Sequence, residues 1–220
     1  AVKVVEEGIN TLKIKIGVDV ARDVTVVREV RRAIGDKPRI RVDANQGYRT
    51  WREAVDAIRR MTEYGIAYAE QPVDGVKAMA EVAARCDVPI MADESVWTER
   101  DVVAIAASGA AQYLSVYYTK PGGLWKAKRL LTVAGAHGMQ CDINGSGEMG
   151  IGNAANLQLA AAAPEITLAG TIPVTSTSAI ERTKVAGRKY LDDILRVPFE
   201  YREGHLIVPE GPGLGIEVDE

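Results

Sequence analysis

The feature that most constrains this chain is a recurrence of short β-rich runs: Thr11–Ile16, Arg39–Asp43, Ala67–Glu70, Val88–Asp93, Tyr113–Tyr118, Met139–Asn144 and, less clearly, Thr167–Ile172. Their starts fall roughly 25 residues apart, the length of one strand, one helix and two short loops. Helical apolar spacing fills the gaps. Val20, Val24, Val27, Val30 and Ile34 mark one stripe and Ala54, Ile58 and Met61 another, with Arg, Glu and Asp on the opposite sides. Tyr64-Gly65, Ser108-Gly109 and His137-Gly138 stand where such helices stop. Alternation of this kind builds an α/β protein with a parallel sheet. Seven runs without a break in composition favour a closed (β/α) barrel over a doubly wound sheet, which commonly stops at about five or six strands. The opening Ala1–Gly8 reads as the end of a helix, so the barrel's first strand is expected before residue 1 and the chain is expected to be a fragment. Arg196–Glu220, rich in turn residues, is expected to be an irregular tail wrapping back over a barrel of residues 1–195.

Charge narrows the partners. Lys+Arg 27 against Asp+Glu 30 leaves a net charge of −3, without the basic patch of a nucleic-acid or acidic-membrane binder. No apolar run nears the ~18 residues of a membrane span, and no basic-then-apolar leader is seen, so a soluble, cytoplasmic protein with neither kind of partner is expected. Cys86 and Cys141 form no Cys-x-x-Cys pair and are expected to be reduced, buried small hydrophobes.

In a parallel barrel, chemistry gathers where strands end. Three consecutive runs end in acids: Val42-Asp43-Ala44-Asn45, Ala69-Glu70-Gln71-Pro72 and Ala92-Asp93-Glu94-Ser95. Neighbouring strands lie about 4.8 Å apart, so these carboxylates are placed to converge on one hard cation, for which Mg²⁺ suits the ligand set. Taken singly, Asp43, Asp93 or Ser95 reads more simply as a helix N-cap; three in succession point to a metal. In Leu12-Lys13-Ile14-Lys15-Ile16 the lysines share one face. An ordinary half-exposed strand alternates this way, but in a barrel the apolar set faces the helices, which turns Lys13 and Lys15 to the interior mouth. A lysine there, beside a second ammonium and a divalent cation, is expected to have a lowered pKa and to exchange protons near neutrality.

Lys13-x-Lys15, Asp43-x-Asn45, Glu70-Gln-Pro and Asp93-Glu94-Ser95, with the later Gly-x-Gly-Glu148-x-Gly-Ile-Gly and Pro-Gly-Leu-Gly, together resemble the barrel domain of the enolase superfamily, in its muconate lactonizing enzyme subgroup. The resemblance covers nearly the whole chain. It implies a (β/α)7β-type TIM barrel lacking here its first strand and the N-terminal α+β capping domain. It implies Asp43, Glu70 and Asp93 as ligands of Mg²⁺, or of Mn²⁺, and Lys15 as the acid/base. Lys13 would then bind a substrate carboxylate and depress the pKa of Lys15, with Asn45 and Glu94 supporting the ligands and Glu148 as the family's late-strand glutamate. A small-molecule carboxylate substrate and a homo-oligomer are also implied.

One departure separates reactions within that family. Where the subgroup usually has a strand-end lysine followed three residues later by another, this chain reads Tyr117-Tyr-Thr-Lys120-Pro-Gly-Gly. Lys120 fits the later lysine, and Tyr117 falls on the acid/base position. Lys120, three residues on, would face elsewhere unless the strand has already turned. A racemase needs a base on each face of the substrate carbon, and Tyr, with a reference pKa near ~10, is a poor partner for Lys. A reaction with one proton transfer survives on Lys15 alone. Cycloisomerisation is the favoured reading; a syn-dehydratase, an o-succinylbenzoate synthase-like enzyme, or a catalytically silent binding barrel are the alternatives. The segment from Asn144 to Gly152 is expected to be a close-approach loop around Glu148 rather than a phosphate cradle. Trp51, Trp97 and Trp125 are expected to pack in the core or an interface, and His137 and His205 to be structural.

Overall fold

The computed structural model describes residues 1–145, 147–172 and 193–219. The order is α1 (Val2–Glu6), β1 (Thr11–Lys15), α2 (Val20–Ile34), β2 (Arg39–Asp43), α3 (Trp51–Thr62), β3 (Ile66–Glu70), α4 (Val76–Ala83), β4 (Ile90–Ala92), α5 (Glu99–Ser108), β5 (Tyr113–Val116), α6 (Leu124–Ala136), β6 (Gln140–Ile143) and α7 (Gly150–Ala162). Among the described residues β1 to β6 pair in chain order, every pair parallel.

Period-2 alternation sorts each strand into two faces. Ile40, Val42, Leu114, Val116, Cys141 and Ile143 join one core cluster with Val27 of α2, Ile58 of α3, Ile105 of α5 and Leu130 of α6. The other face carries Lys13, Arg41, Asp43, Tyr68, Glu70, Ser115 and Asp142. Arg41 of β2 donates to Asp142 of β6, and its other contacts are Tyr68 Oη at 2.8 Å and Thr171 Oγ1. Across a flat sheet β2 and β6 would stand roughly 19 Å apart, far beyond the reach of an arginine. The sheet is therefore curled, and its polar face is the inside of a barrel. Tyr68 and Tyr113, on β3 and β5, meet across the same interior with ring centroids 5.4 Å apart.

Helix ends follow local chemistry. Asp19 accepts from Arg22 N to cap α2, Thr50 from Glu53 N to cap α3, and Thr98 with Asp101 forms a capping box on α5. Gly109 ends α5 in the left-handed region at φ 65°, which only glycine enters without strain.

Four expectations change. The run Thr167–Ile172 is not a strand: it touches β6 through isolated parallel bridges, Cys141 to Ile166 and Asn144 to Thr171. The amides of Thr167 and Leu168 both bond to the Cys141 carbonyl, an extra-residue arrangement that breaks the ladder. The tail is not wholly irregular, since β7 (Tyr201–Arg202) and β8 (His205–Leu206) make an antiparallel hairpin. It does fold back: Leu195 and Phe199 pack on Ala154 and Leu157 of α7, and Gln158 Nε2 donates to Pro209 O. Trp97 and Trp125 are exposed, at 51% and 76%, so of the core or interface packing expected of them the core is ruled out, and Cys86 is only half-buried. Among the described residues no helix is long and apolar enough to cross a membrane.

Among the described residues Arg41 is the largest fully buried side chain, and its partner Asp142 keeps one buried oxygen without a hydrogen bond. Arg41→Met is therefore expected to destabilise the protein by ~3–5 kcal/mol, because it strands a buried carboxylate. The double variant Arg41→Met/Asp142→Leu is expected to recover most of that loss; urea unfolding of both variants measures it.

Candidate active site at the strand ends

Strand register assembles the site. β1 pairs β2 with Lys15 opposite Asp43 and Lys13 opposite Arg41, and β2 pairs β3 with Asp43 opposite Glu70. Lys13 Nζ lies 2.8 Å from both Asp43 Oδ2 and Glu70 Oε1. Lys15 Nζ lies 2.6 Å from Asp43 Oδ2 and 2.5 Å from Asn45 Oδ1. Asn45 Nδ2 donates to Glu94 Oε1 at 2.8 Å, so one amide links the lysine to the end of β4. The Lys13 side chain is 11% exposed and that of Lys15 62%, so the first is an interior group and the second stands in the mouth.

The chain turns directly after β5, and this brings Lys120 back to the site. Its buried ammonium donates to Asp93 Oδ1 at 2.7 Å, Asp93 O at 2.9 Å and Ser115 O at 2.7 Å, with the Tyr117 ring centroid 4.7 Å away. Lys13, Lys15, Asp43, Asn45, Asp93, Glu94, Tyr117, Asn144 and Gly145 line one cleft of about 270 Å³. Glu148 is not among them: its carboxylate accepts from Thr119 Oγ1 at 3.3 Å and from Gly147 N, beside the start of α7. Ser146, in the same loop, lies outside the described residues. The N-cap reading of Asp43, Asp93 and Ser95 does not hold, since Thr50 and Thr98 cap α3 and α5.

Burial and mutual charge set the protonation chemistry. Burial works against charge on Lys13, but the Glu70 and Asp43 carboxylates outweigh it and raise its pKa. Asp43, also buried, is held below its ordinary value by Lys13 and Lys15. Glu70 is pushed up to about 8 by burial, which the pull of Lys13 does not offset; its Oε2 is buried without a hydrogen-bond partner. Burial also raises the Tyr117 phenol, and the carboxylates of Asp93, Glu148, Glu94 and Glu70 add to the effect.

The three acids do not form a closed chelate as they stand. Among the described residues no group of three or more His, Cys, Asp and Glu side chains is gathered closely enough to hold an ion, because Lys13 sits between Asp43 and Glu70 and Lys120 holds Asp93. The donor set nevertheless fits a hard divalent cation. It is all oxygen, it sits on adjacent strand ends, and the buried Glu70 keeps one oxygen without a hydrogen-bond partner.

Residues 1–220 match the family model described as Enolase C-terminal domain-like. The chain belongs to the enolase superfamily. It is 33% identical over 213 residues to muconate cycloisomerase 1 of Rhodococcus opacus, an alignment covering 95% of this chain and 53% of that protein. The substrate-liganded structure of the L-Ala-D/L-Glu epimerase from Bacillus subtilis superposes with a TM-score of 0.84 at 32% identity, covering 97% of this chain and 57% of that one. A dipeptide epimerase from Cytophaga hutchinsonii, complexed with Mg and the dipeptide D-Ala-L-Val, superposes at 0.86 with 26% identity, covering 99% and 56%. The chain thus spans about half the length of the relatives it matches.

Several supporting groups were missed in the sequence. Asn144 ends β6 as the acids end β2 to β4, and its Nδ2 donates to Glu70 Oε1 at 3.2 Å and Ser115 Oγ at 3.0 Å; the strand-end rule would have found it. Gln71, inside the Glu70-Gln-Pro motif, accepts from Asp93 N at 2.9 Å and Ser95 N at 3.1 Å, and so ties the end of β3 to that of β4. Nothing local marks that role.

Glu70 makes the cation-free protein pH-sensitive. The stability owed to its protonated form is complete below its ordinary 4.5 and is lost as pH rises to about 8. Asp43 acts in the opposite sense, losing its contribution only as pH falls below its ordinary 3.8, outside that window. Urea unfolding in EDTA is expected to show stability falling from about pH 5 to about pH 8, by no more than ~1.4 kcal/mol per unit from this group, and Glu70→Gln is expected to flatten the slope.

Proposed function

We propose that the protein is a Mg²⁺-dependent cycloisomerase of the muconate lactonizing type, interconverting an unsaturated dicarboxylate and a lactone, with Lys15 as the single group that moves the proton. One observation carries the reading: Lys15 stands in the cleft beside Asp43 and Asn45, while from the β5 side only a phenol, Tyr117, lines that cleft, and Lys120 lies buried outside the lining, committed to Asp93 and Ser115. An epimerase of the kind named among the relatives exchanges protons on both faces of a carbon. Tyr117, whose pKa is raised by burial and by the carboxylates around it, keeps its proton and is a poor second base.

In the lactonizing direction one substrate carboxylate adds to the conjugated double bond and forms the C–O bond. The displaced electron pair moves onto the other carboxylate as an ene-diolate, and the Lys15 ammonium protonates its α-carbon. In reverse, the neutral Lys15 amine takes that α-proton and the C–O bond breaks. Lys13 borders the cleft as a fixed positive charge toward the substrate carboxylate, and Asn45 orients the Lys15 ammonium. Asp43, Glu70 and Asp93 would hold Mg²⁺, or Mn²⁺ by the same oxygen chemistry, and the cation supplies positive charge beside the enolised carboxylate.

Solvent-deuterium exchange at the α-carbon of muconolactone, with the full-length protein and Mg²⁺, tests the reading. Exchange of one of the two α-hydrogens is expected. Lys15→Ala is expected to lower turnover by ~10²–10⁴-fold and Tyr117→Phe by less than about tenfold. Exchange of both α-hydrogens, or a loss in Tyr117→Phe equal to that in Lys15→Ala, overturns the one-base reading; no exchange at all favours a silent binding barrel.

A further inference from the structure

We propose that Asp23, a residue of α2 outside the cleft lining, is a positioning residue that locks the strand end carrying Lys15 to the turn carrying Asp43 and Asn45; the inference rests on the role proposed for Lys15. Asp23 is fully buried. Its Oδ2 accepts from Gly17 N at 2.7 Å, Val18 N at 3.0 Å and Tyr48 Oη at 3.1 Å, and its Oδ1 accepts from Arg22 at 2.9 Å. Gly17 and Val18 follow the lysine strand, and Tyr48 follows the turn of Asn45. One carboxylate therefore ties the two loops that deliver the acid/base and its partners.

The two loops also meet backbone to backbone. A Cβ on Gly47 would lie 2.2 Å from Gly17 O, and one on Gly17 would lie 2.5 Å from Ala44 O, so no side chain fits between them. Between these contacts Asn45 and Gln46 hold φ of 43° and 65°, a left-handed conformation that non-glycine residues keep only when their surroundings enforce it. The Lys15 side chain is mostly exposed and has little packing of its own, so its ammonium is placed by its backbone, Asp43 and Asn45. A shift of the strand end against the turn passes directly to Nζ. The full negative charge matters, because an asparagine would offer one weaker acceptor to three donors and turn an amide N–H toward Arg22.

The test compares Asp23→Asn and Tyr48→Phe with the parent in the full-length protein with Mg²⁺. Asp23→Asn is expected to lower kcat about 10²-fold, and Tyr48→Phe about threefold, with KM changed by less than about threefold in each. The amides of Gly17 and Val18 are expected to exchange at least about tenfold faster in Asp23→Asn while those of β3 to β5 stay protected. Freed Gly17 and Val18 amides with unchanged kcat overturn the proposal, as does uniform acceleration of all amides, the mark of a merely structural role. Should Asp23→Asn not fold, Tyr48→Phe carries the same comparison. Should the parent show no turnover, the ¹³C-methyl signal of reductively methylated Lys15 decides independently: a shift toward the solvent-lysine position in the variant supports the lock, and an unmoved signal overturns it.

Discussion

The site is organised by the problem of keeping several carboxylates together at one end of a parallel sheet. Like charges in a poorly hydrated interior repel strongly and lose hydration as well. The chain answers by setting ammonium groups against them: Lys13 between Asp43 and Glu70, Lys15 on Asp43, Lys120 against Asp93. Glu70 is left in deficit, with one oxygen unpartnered and a pKa near 8. That residual demand for positive charge ties the geometry of the site to the cation proposed for it.

Beneath this layer the barrel interior is itself ionic. Arg41, Tyr68 and Asp142, on β2, β3 and β6, form a connected set with Thr171. Above it, strained backbone holds the ends in place. Asn45, Gln46 and Gln71 all have positive φ, and all sit where a strand hands over to its loop. Gln71 spans from the end of β3 to the amides of Asp93 and Ser95, and Asp23 spans from the end of β1 to the loop after β2. Two pairs of neighbouring strand ends are thus tied together by side chains with no direct part in the cleft.

Much of this was legible residue by residue. The runs at Thr11, Arg39, Ala67 and Tyr113 mark strands that form within a residue of their expected starts, because apolar alternation and glycine stops act locally. Asp43, Glu70, Asp93, Lys13 and Lys15 could be picked out because a parallel barrel presents one strand end to solvent. The segment after Ile166 was misjudged because its β-rich composition says nothing about whether it keeps register, and two amides sharing one carbonyl break the ladder. The raised pKa of Lys13 follows from the two carboxylates that flank it, and alternation along one strand does not reveal them.

Sequence alone determined the fold class, the family and the identity of the charged groups, since these depend on periodicity and on residues at fixed positions along the chain. Tertiary structure decided which charges meet. Lys120 lies 27 residues from Asp93 and reaches it because the chain turns directly after β5, and Asn144 lies 74 residues from Glu70 and reaches it through the curl of the sheet. Electrostatic energy follows distance and burial through space, and neither can be read along the chain.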